Sequence, residues 1–156
     1  MTPAINTLKK HKTPHTIYEY EHDSNALSYG DEAVEKLGVS ASQVFKTLVV
    51  TIDSKELAVA VVPMTSMLSL KLLAKALGGK KAVMADKGLA EKTTGYVFGG
   101  VSPLGQKRRL KTVINSSAKE LNTMYVSAGR RGLEISLAPA DLQTLTQATF
   151  ANICSE

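Results

Sequence analysis

The stretch Phe45–Val62, FKTLVVTIDSKELAVAVV, predicts two adjacent β-strands and decides the class of fold. Its two halves, Phe45–Ile52 and Leu57–Val62, are almost continuously apolar and rich in β-branched residues, which is typical of strands covered on both faces. The polar segment Asp53–Glu56 between them fits the turn of a hairpin. One residue departs from the pattern, because Lys46 places a cation at the entrance of a buried strand.

Lys46 has two possible interpretations. An ammonium group buried without a partner costs several kcal/mol. The side chain therefore either reaches water at an exposed strand end or points into the mouth of a pocket, where a phosphate or carboxylate pairs with it. The neighbouring residues leave both interpretations open.

Shorter elements flank the hairpin on both sides, and their periodicity predicts one mixed α/β domain over residues 1–156 with a strongly curved sheet and helices around it. A polar loop is predicted at 23–30 and a single helical turn at 117–121. Further strands are predicted at 15–21, 81–84, 96–98, 112–114, 124–126 and 133–137, and helices at 3–12, 31–37, 70–77, 87–93 and 139–147.

Composition narrows the class of protein. The chain has 156 residues, of which 44% are hydrophobic, and no apolar run approaches the roughly 18 residues of a membrane span. The apolar stretch in MTPAINTLKKHK is too short for a signal peptide, so we expect a cytoplasmic protein without a membrane partner. Cys154 is the only cysteine, which excludes an intramolecular disulfide and a metal site built on cysteines. The spacing of His11, His15 and His22 fits no metal motif, so we expect no metal.

The charge distribution indicates an acidic partner. The chain carries 19 Lys and Arg against 14 Asp and Glu, a net charge of +5 and a pI near 9.3, which is typical of many nucleic-acid-binding proteins. Basic clusters lie at Lys80–Lys81, Lys107–Arg109 and Arg130–Arg131, and they form one basic face if these segments meet in space.

The stretch 94–111, TGYVFGGVSPLGQKRRLK, concentrates three kinds of chemistry. Its glycines allow backbone shapes that other residues avoid, and such a loop can turn several N–H groups toward one anion. A basic run ending at Lys111 follows. A second Gly-rich basic turn is predicted at 127–132. On residue types alone, a surface turn followed by a solvated basic strand is an equally good interpretation of 94–111.

A protein nucleophile is hard to find in this sequence. GxSxG, P-loop and HExxH motifs are absent, and Ser102 and Ser127 have no obvious base. Backbone N–H donors, one lysine and small hydroxyls remain. Such a site can bind a carbonyl and stabilise the oxyanion that develops on it, which suffices for an activated ester.

Three segments carry a resemblance to a known family. FKTLVV with Lys46, TGYVFGGVSPLG and YVSAGRRGLEIS resemble the YbaK family of aminoacyl-tRNA deacylases, and GDEAVEKLG also fits. The family resembles the editing domain inserted in bacterial prolyl-tRNA synthetases, and its YbaK branch hydrolyses cysteine mischarged on tRNA(Pro) and tends to deacylate other cysteinyl-tRNAs. The resemblance implies a barrel-like sheet, no cofactor or metal, and two partners, the acceptor end of aminoacyl-tRNA and prolyl-tRNA synthetase.

The resemblance also implies roles for individual residues. Lys46 matches the family's essential lysine, which contacts the aminoacyl-adenosine end of the tRNA, and Gly99–Pro103 matches the loop whose backbone holds the substrate carbonyl and terminal ribose. Glu134 stands where relatives often carry Asp. The expected catalytic residues are Lys46, Gly99, Gly100 and Val101. The expected substrate-binding residues are Tyr20, Thr47, Ser102, Pro103, Ser127, Gly129 and Glu134. The expected contacts to the tRNA backbone are Lys107, Arg108, Arg109, Arg130 and Arg131.

The chemistry implied by the resemblance agrees with the missing nucleophile. In the YbaK branch the thiol of the substrate's own cysteine attacks the ester carbonyl and releases a cyclic thiolactone. Two alternatives stay open: a deacylase for another mischarged tRNA such as Ala-tRNA(Pro), and a module that binds the tRNA end without turnover.

Overall fold

A computed structural model of the chain describes residues 1–23 and 29–155. The predicted polar loop at 23–30 falls mostly on residues 24–28, which lie outside the described residues. The helices are α1 Pro3–Lys10, α2 Tyr29–Leu37, α3 Leu70–Ala76, α4 Lys87–Thr94 and α5 Pro139–Thr146, with short 3-10 turns at Ala41–Gln43 and Ser116–Glu120. The strands are β1 Thr16–Glu19, β2 Phe45–Ile52, β3 Glu56–Pro63, β4 Met67–Leu68, β5 Ala82–Met84, β6 Lys111–Asn115, β7 Met124–Arg130, β8 Leu133–Leu137, β9 Thr149–Ala151 and β10 Cys154–Ser155.

The predicted hairpin forms the centre of a five-stranded sheet. β2 and β3 pair in antiparallel register from Phe45↔Pro63 to Ile52↔Glu56, and the strand order is β5-β2-β3-β6-β9. Alternate residues of β3 belong to two different buried clusters. Val59 and Val61 lie in one cluster, and Ala58, Ala60 and Val62 lie in the other. The expectation that both faces are covered is therefore confirmed for β3, whereas residues 46–49 of β2 line a cavity.

The remaining strands form a three-stranded antiparallel sheet, β1-β8-β7, and a two-stranded pair, β10-β4. A single parallel bridge from Val44 to Tyr125 joins the start of β2 to β7. The mixed α/β class is confirmed, with one refinement. Within the described residues the five-stranded sheet ends at β5 and β9 and does not close into a barrel.

The predicted strand at 96–98 is wrong, because these residues form a turn. The hydroxyl of the buried Tyr96 donates to the Leu104 carbonyl at 2.6 Å, and the Phe98 N–H donates to Glu91 Oε2 at 2.7 Å. The Gly100 N–H closes the turn on the Val97 carbonyl at 3.0 Å. These polar groups are therefore satisfied by the loop itself and by Glu91 of α4, and not by a neighbouring strand.

The second Gly-rich turn is shorter than predicted. β7 continues to Arg130 and has an irregularity in register between Ser127 and Arg130. Such a bulge bends the strand without ending its pairing. Only Arg131 and Gly132 form the turn into β8, so Ser127 belongs to a strand rather than to a loop. Near the end of the chain, Phe150 packs against one buried cluster and Ile153 belongs to the other.

The start of α1 holds the loop that follows α4. The Thr2 hydroxyl accepts from the Ile5 N–H at 3.3 Å, which caps the helix, and it donates to the Ala128 carbonyl in β7. Gly105 has φ +66°, and a Cβ there would lie 2.5 Å from the carbonyl carbon of Pro3. Only glycine allows the loop backbone to approach the helix this closely.

We expect Gly105→Ala to destabilise the protein more than Gly38→Ala. Both glycines have φ +66°, but a Cβ at Gly38 would meet no atom within 4 Å. The left-handed conformation costs both variants about 1–2 kcal/mol, and overpacking against α1 adds roughly 1–3 kcal/mol at Gly105 alone. Urea unfolding measures both free energies, and equal losses would show that the contact with Pro3 is not tight.

Candidate active site

A cavity of about 450 Å³ opens beside the first half of β2. Five of the predicted site residues meet in its wall, namely Lys46, Thr47, Gly99, Val101 and Arg131. The other lining residues are Gly30, Leu48, Val49, Met64, Met84, Ala85, Lys87, Ala90, Glu91 and Phe98. Lys46 of β2 and residues of the Gly-rich loop therefore line one concave site.

The cavity exists because β5 is short. β5 pairs only with Val50–Ile52 of β2, and after the Ala85 N–H bonds to the Val49 carbonyl at 3.0 Å the chain leaves the sheet and enters α4. Within the described residues, the first half of β2 pairs with β3 alone. Side chains and backbone of residues 46–49 therefore border the cavity rather than another strand.

Like Lys87, Lys46 is a cation of this wall without an ion pair among the described residues. Among the described residues no carboxylate lies within 4.0 Å of its ammonium group, and its side chain is partly buried. Lys87 and Arg131 add positive charge to the lining, whereas Glu91 is the only acidic lining residue within the described ranges. The cavity is suited to an anion or to a carbonyl oxygen that gains negative charge.

The Gly-rich loop is fixed at its base and across its middle. The Lys107 N–H donates to the Thr94 carbonyl at 2.8 Å and closes the base. The hydrogen bond from Tyr96 to the Leu104 carbonyl spans the loop. Burial raises the pKa of Tyr96 to about 12, so its hydroxyl keeps the donated proton at any physiological pH. Leu104, which is buried in the core, anchors the far end.

Gly100 brings this loop onto the turn after β7. A Cβ at Gly100 would lie 2.9 Å from Arg130 Cα and 3.1 Å from the Arg131 nitrogen. Ser127 Oγ donates to the Gly100 carbonyl at 3.3 Å and accepts from the Gly129 N–H at 3.1 Å. Ser127 therefore positions the backbone of the loop and does not line the cavity.

A buried polar cluster lies behind Arg131. Glu32 accepts from His22 Nδ1 at 2.8 Å, from the Asp23 N–H at 3.0 Å and from Arg131 Nε at 3.3 Å. Burial alone would raise the pKa of Glu32, but these donors outweigh it and hold that pKa below its usual value. The cluster fixes the guanidinium of Arg131 at the cavity wall.

Tyr20 belongs to the same cluster. Burial, with smaller contributions from the charges of Glu134 and Glu32, raises the pKa of Tyr20 to about 12. Its hydroxyl is therefore a neutral donor, and it has no hydrogen-bond partner among the described residues. The Thr47 hydroxyl on the cavity wall is likewise buried without a partner among the described residues.

The other predicted substrate-binding residues do not line this cavity. Ser102, Pro103 and Glu134 are buried, and Pro103 borders a second, smaller cavity of about 220 Å³ together with Arg109. A Cβ at Gly129 would lie 2.8 Å from the Tyr96 ring, so Gly129 serves packing. Substrate contact at Tyr20, Ser102, Pro103, Ser127, Gly129 and Glu134 stays a prediction.

The predicted tRNA contacts divide into two groups. Lys107, Arg108 and Arg109 are exposed. Arg130 instead forms an ion pair with Glu19 at 2.5 Å, and Arg131 is paired with Glu32. Sequence reasoning missed the lining residues Met84, Lys87 and Phe98. Met84 and Lys87 are brought to the site by tertiary folding, which no local pattern predicts. Phe98 was missed because the sequence predicted a strand at 96–98.

No group of three or more His, Cys, Asp or Glu side chains within 1–23 and 29–155 is arranged to hold a metal ion. None of the helices in the described part of the chain has the length and apolar character that a bilayer span requires.

Comparison with known proteins identifies the family. The profile of the aminoacyl-tRNA editing domain matches residues 24–145. The chain belongs to the aminoacyl-tRNA editing domain family. The resemblance to the YbaK deacylases of this editing-domain family is thereby confirmed. The matched range includes the cavity wall on both sides, from Gly30 to Arg131.

One sequence relative and two solved structures of similar fold match nearly the whole chain. A protein of Enterococcus faecalis, named as a candidate Cys-tRNA(Pro)/Cys-tRNA(Cys) deacylase, EbsC, is 39% identical over 155 residues, which are 99% of this chain and 94% of that protein. A solved candidate trans-editing enzyme for prolyl-tRNA synthetase superposes with a TM-score of 0.86 at 20% identity, covering 99% of this chain and 96% of the other. The structure of the hypothetical protein APE2540 superposes with a TM-score of 0.87 at 22% sequence identity, covering 98% of this chain and 99% of the other. The two structural likenesses show the fold.

We expect Glu32→Gln to lower the free energy of unfolding at neutral pH and to make it vary less as the pH falls. The folded-state pKa of Glu32 lies below the ordinary value of 4.5, so its contribution is present above that value and is lost as the pH falls through the folded pKa. The loss at pH 7 is on the order of 1–3 kcal/mol, because buried donors lose a charged partner.

Denaturant unfolding from pH 7 to pH 3 measures this difference. Glu35→Gln is the matched control, since Glu35 lies on the same helix and is exposed. A gap between wild type and Glu32→Gln that stays constant across this pH range would contradict the assignment.

Proposed function

We propose that this protein hydrolyses the ester of mischarged aminoacyl-tRNA, with Cys-tRNA(Pro) as main substrate and other cysteinyl-tRNAs as further substrates. One observation carries the proposal. The cavity is lined by a lysine without an ion pair and by Gly99 and Val101 of the Gly-rich loop, and its lining contains no serine, cysteine or histidine among the described residues. The E. faecalis relative, by its name, acts on the same two classes of cysteinyl-tRNA.

The residues of the cavity stabilise charge rather than attack. In this proposal the Lys46 ammonium and the N–H groups of Gly99 and Val101, which line the cavity, stabilise the negative charge that develops on the ester carbonyl oxygen. Such preorganised donors act most strongly in a site that excludes water. The Gly100 N–H is already donated to the Val97 carbonyl and supports the loop instead. Gly99 has φ +88°, a conformation that glycine adopts readily and other residues avoid.

The nucleophile is the thiol of the substrate. Its sulfur bonds to the ester carbonyl carbon, the bond from that carbon to the ribose oxygen breaks, and the ribose oxygen receives the proton that the thiol released. The products are a cyclic thiolactone and tRNA with a free terminal hydroxyl, and water then opens the thiolactone to cysteine. A protein nucleophile is not needed in this sequence of steps.

The size and polarity of the cavity support a small substrate end. About 450 Å³ falls in the range of ordinary small-molecule sites, and most lining side chains are apolar. The buried Thr47 hydroxyl lacks a partner within the described residues and supplies one polar contact to the amino group or the ribose. An orphaned polar group of this kind costs about 1–3 kcal/mol until the substrate satisfies it.

The exposed basic run supplies the contact to the tRNA backbone. Lys107, Arg108 and Arg109 are exposed. They lie between the Gly-rich loop, which holds the ester in this proposal, and the start of β6. Arg130 and Arg131 contribute less, because both are held by carboxylates. Prolyl-tRNA synthetase is the expected partner, and the cytoplasm, where tRNA is charged, is the expected location.

We expect Cys-tRNA(Pro) to be deacylated much faster than Ala-tRNA(Pro) and Pro-tRNA(Pro). The reason is chemical, since only cysteine carries the thiol that attacks its own ester. Release of the amino acid from each radiolabelled tRNA measures the three rates. Strong turnover of Ala-tRNA(Pro) would favour a deacylase that uses water, and binding without turnover of any ester would favour a tRNA-end binding module.

We expect Lys46→Ala to lower kcat/KM for Cys-tRNA(Pro) by about 10²–10³-fold, the typical effect of removing one donor to an oxyanion. Lys55→Ala is the matched control, because Lys55 is exposed in the turn at the other end of β2. Thermal unfolding verifies that both variants fold. Lys46→Ala with wild-type turnover would remove Lys46 from the mechanism.

A further inference from the structure

An aromatic ring stands exposed at the rim of the cavity. Phe98 lines the cavity and is 67% exposed, although phenylalanine is usually among the buried residues. We propose that Phe98, with Lys87 beside it, is a stacking platform for the terminal adenine of the tRNA. This inference rests on the proposed function, and it adds a subsite for the base to the subsite for the ester.

The position of Phe98 follows from the covalent structure of the substrate. The amino acid ester and the terminal adenine are attached to the same ribose, so the base lies within one nucleoside of the ester carbonyl. Phe98 immediately precedes Gly99 and lines the same cavity as Lys46. A substrate whose carbonyl lies at the Gly99–Val101 backbone therefore places its base at the cavity rim.

The backbone under the ring is fixed. The Phe98 N–H donates to Glu91 Oε2 at 2.7 Å. The Gly100 N–H donates to the Val97 carbonyl at 3.0 Å and closes the turn that contains Phe98. Glu91 itself is held in α4. The ring is thus presented to solvent by a preorganised segment, which lowers the entropy cost of binding a flat ligand.

A cation accompanies the ring. The Lys87 ammonium lies 5.7 Å from the centroid of the Phe98 ring, within the range of a cation–π contact. A ring that is 67% exposed keeps enough surface for a base, and the ammonium is available to the phosphate of the same nucleotide. A positive charge beside an aromatic platform is the combination by which proteins hold the ends of single-stranded nucleic acid.

Phe98→Trp turns the platform into its own reporter, because the natural chain contains no tryptophan. We expect adenosine 5′-monophosphate to quench the fluorescence of this variant with saturation, whereas ribose 5-phosphate, which lacks the base, does not. Val97→Trp is the matched control. Val97 is the adjacent residue and is 64% exposed, and it corrects for absorbance by the nucleotide.

Two results of this titration would overturn the platform. One is equal quenching of the Phe98→Trp and Val97→Trp variants, and the other is quenching by ribose 5-phosphate as strong as by the nucleotide. The titration needs no turnover. If the wild type hydrolyses no ester, the proposed function fails while the base subsite is still tested.

Turnover of Cys-tRNA(Pro) gives the second readout. We expect Phe98→Ala to lower kcat/KM about 5- to 150-fold, the factor that corresponds to roughly 1–3 kcal/mol of base stacking. Phe98→Trp is expected to restore the rate, because any aromatic ring can stack, and Val97→Ala is expected to match the wild type. Equal losses in Phe98→Ala and Phe98→Trp would show that the role of Phe98 is not stacking.

Discussion

The backbone contact between Gly100 and the Arg130–Arg131 turn is the constraint on which the site depends. Because a Cβ at Gly100 would lie 2.9 Å from Arg130 Cα, the Gly-rich loop can reach the β7–β8 turn only where a side chain is missing. Ser127 then locks the approach through the Gly100 carbonyl. One sheet therefore supplies the turn, the other supplies Lys46, and the loop between them closes the cavity.

The electrostatics of the site follow from this arrangement. Arg131 lies in the cavity wall, but its charge is already paired with the carboxylate of Glu32. Glu32 is buried, and its hydrogen-bond donors keep its pKa below the usual value. Lys46 has no such carboxylate among the described residues, so its field is directed at whatever occupies the cavity. The two cations therefore differ in their surroundings: Arg131 is paired with Glu32 and fixes the turn, whereas Lys46 is the cation that the proposed function assigns to the substrate.

Sequence patterns predicted the elements that depend on local chemistry. The apolar run from Phe45 predicted the hairpin and apolar periodicity predicted the helices, whereas Lys46 on a buried strand was compatible with an exposed strand end as well as with a pocket. The segment 96–98 looked like a strand because its residues favour strands, yet Tyr96 finds its partner in Leu104 eight residues later. The cavity rim at Met84, Lys87 and Phe98 comes from tertiary folding, which no local pattern records.

A cavity of this kind can use its shape for only part of the selectivity. Apolar walls discriminate one methylene by about 10- to 200-fold, and they cannot exclude alanine from a space that admits cysteine. In the proposed function, selectivity for cysteine therefore has to come from chemistry rather than from size. A site that offers donors for an oxyanion but no nucleophile supplies that chemistry, because it accelerates the ester whose own side chain can attack and leaves the others to slow hydrolysis by water.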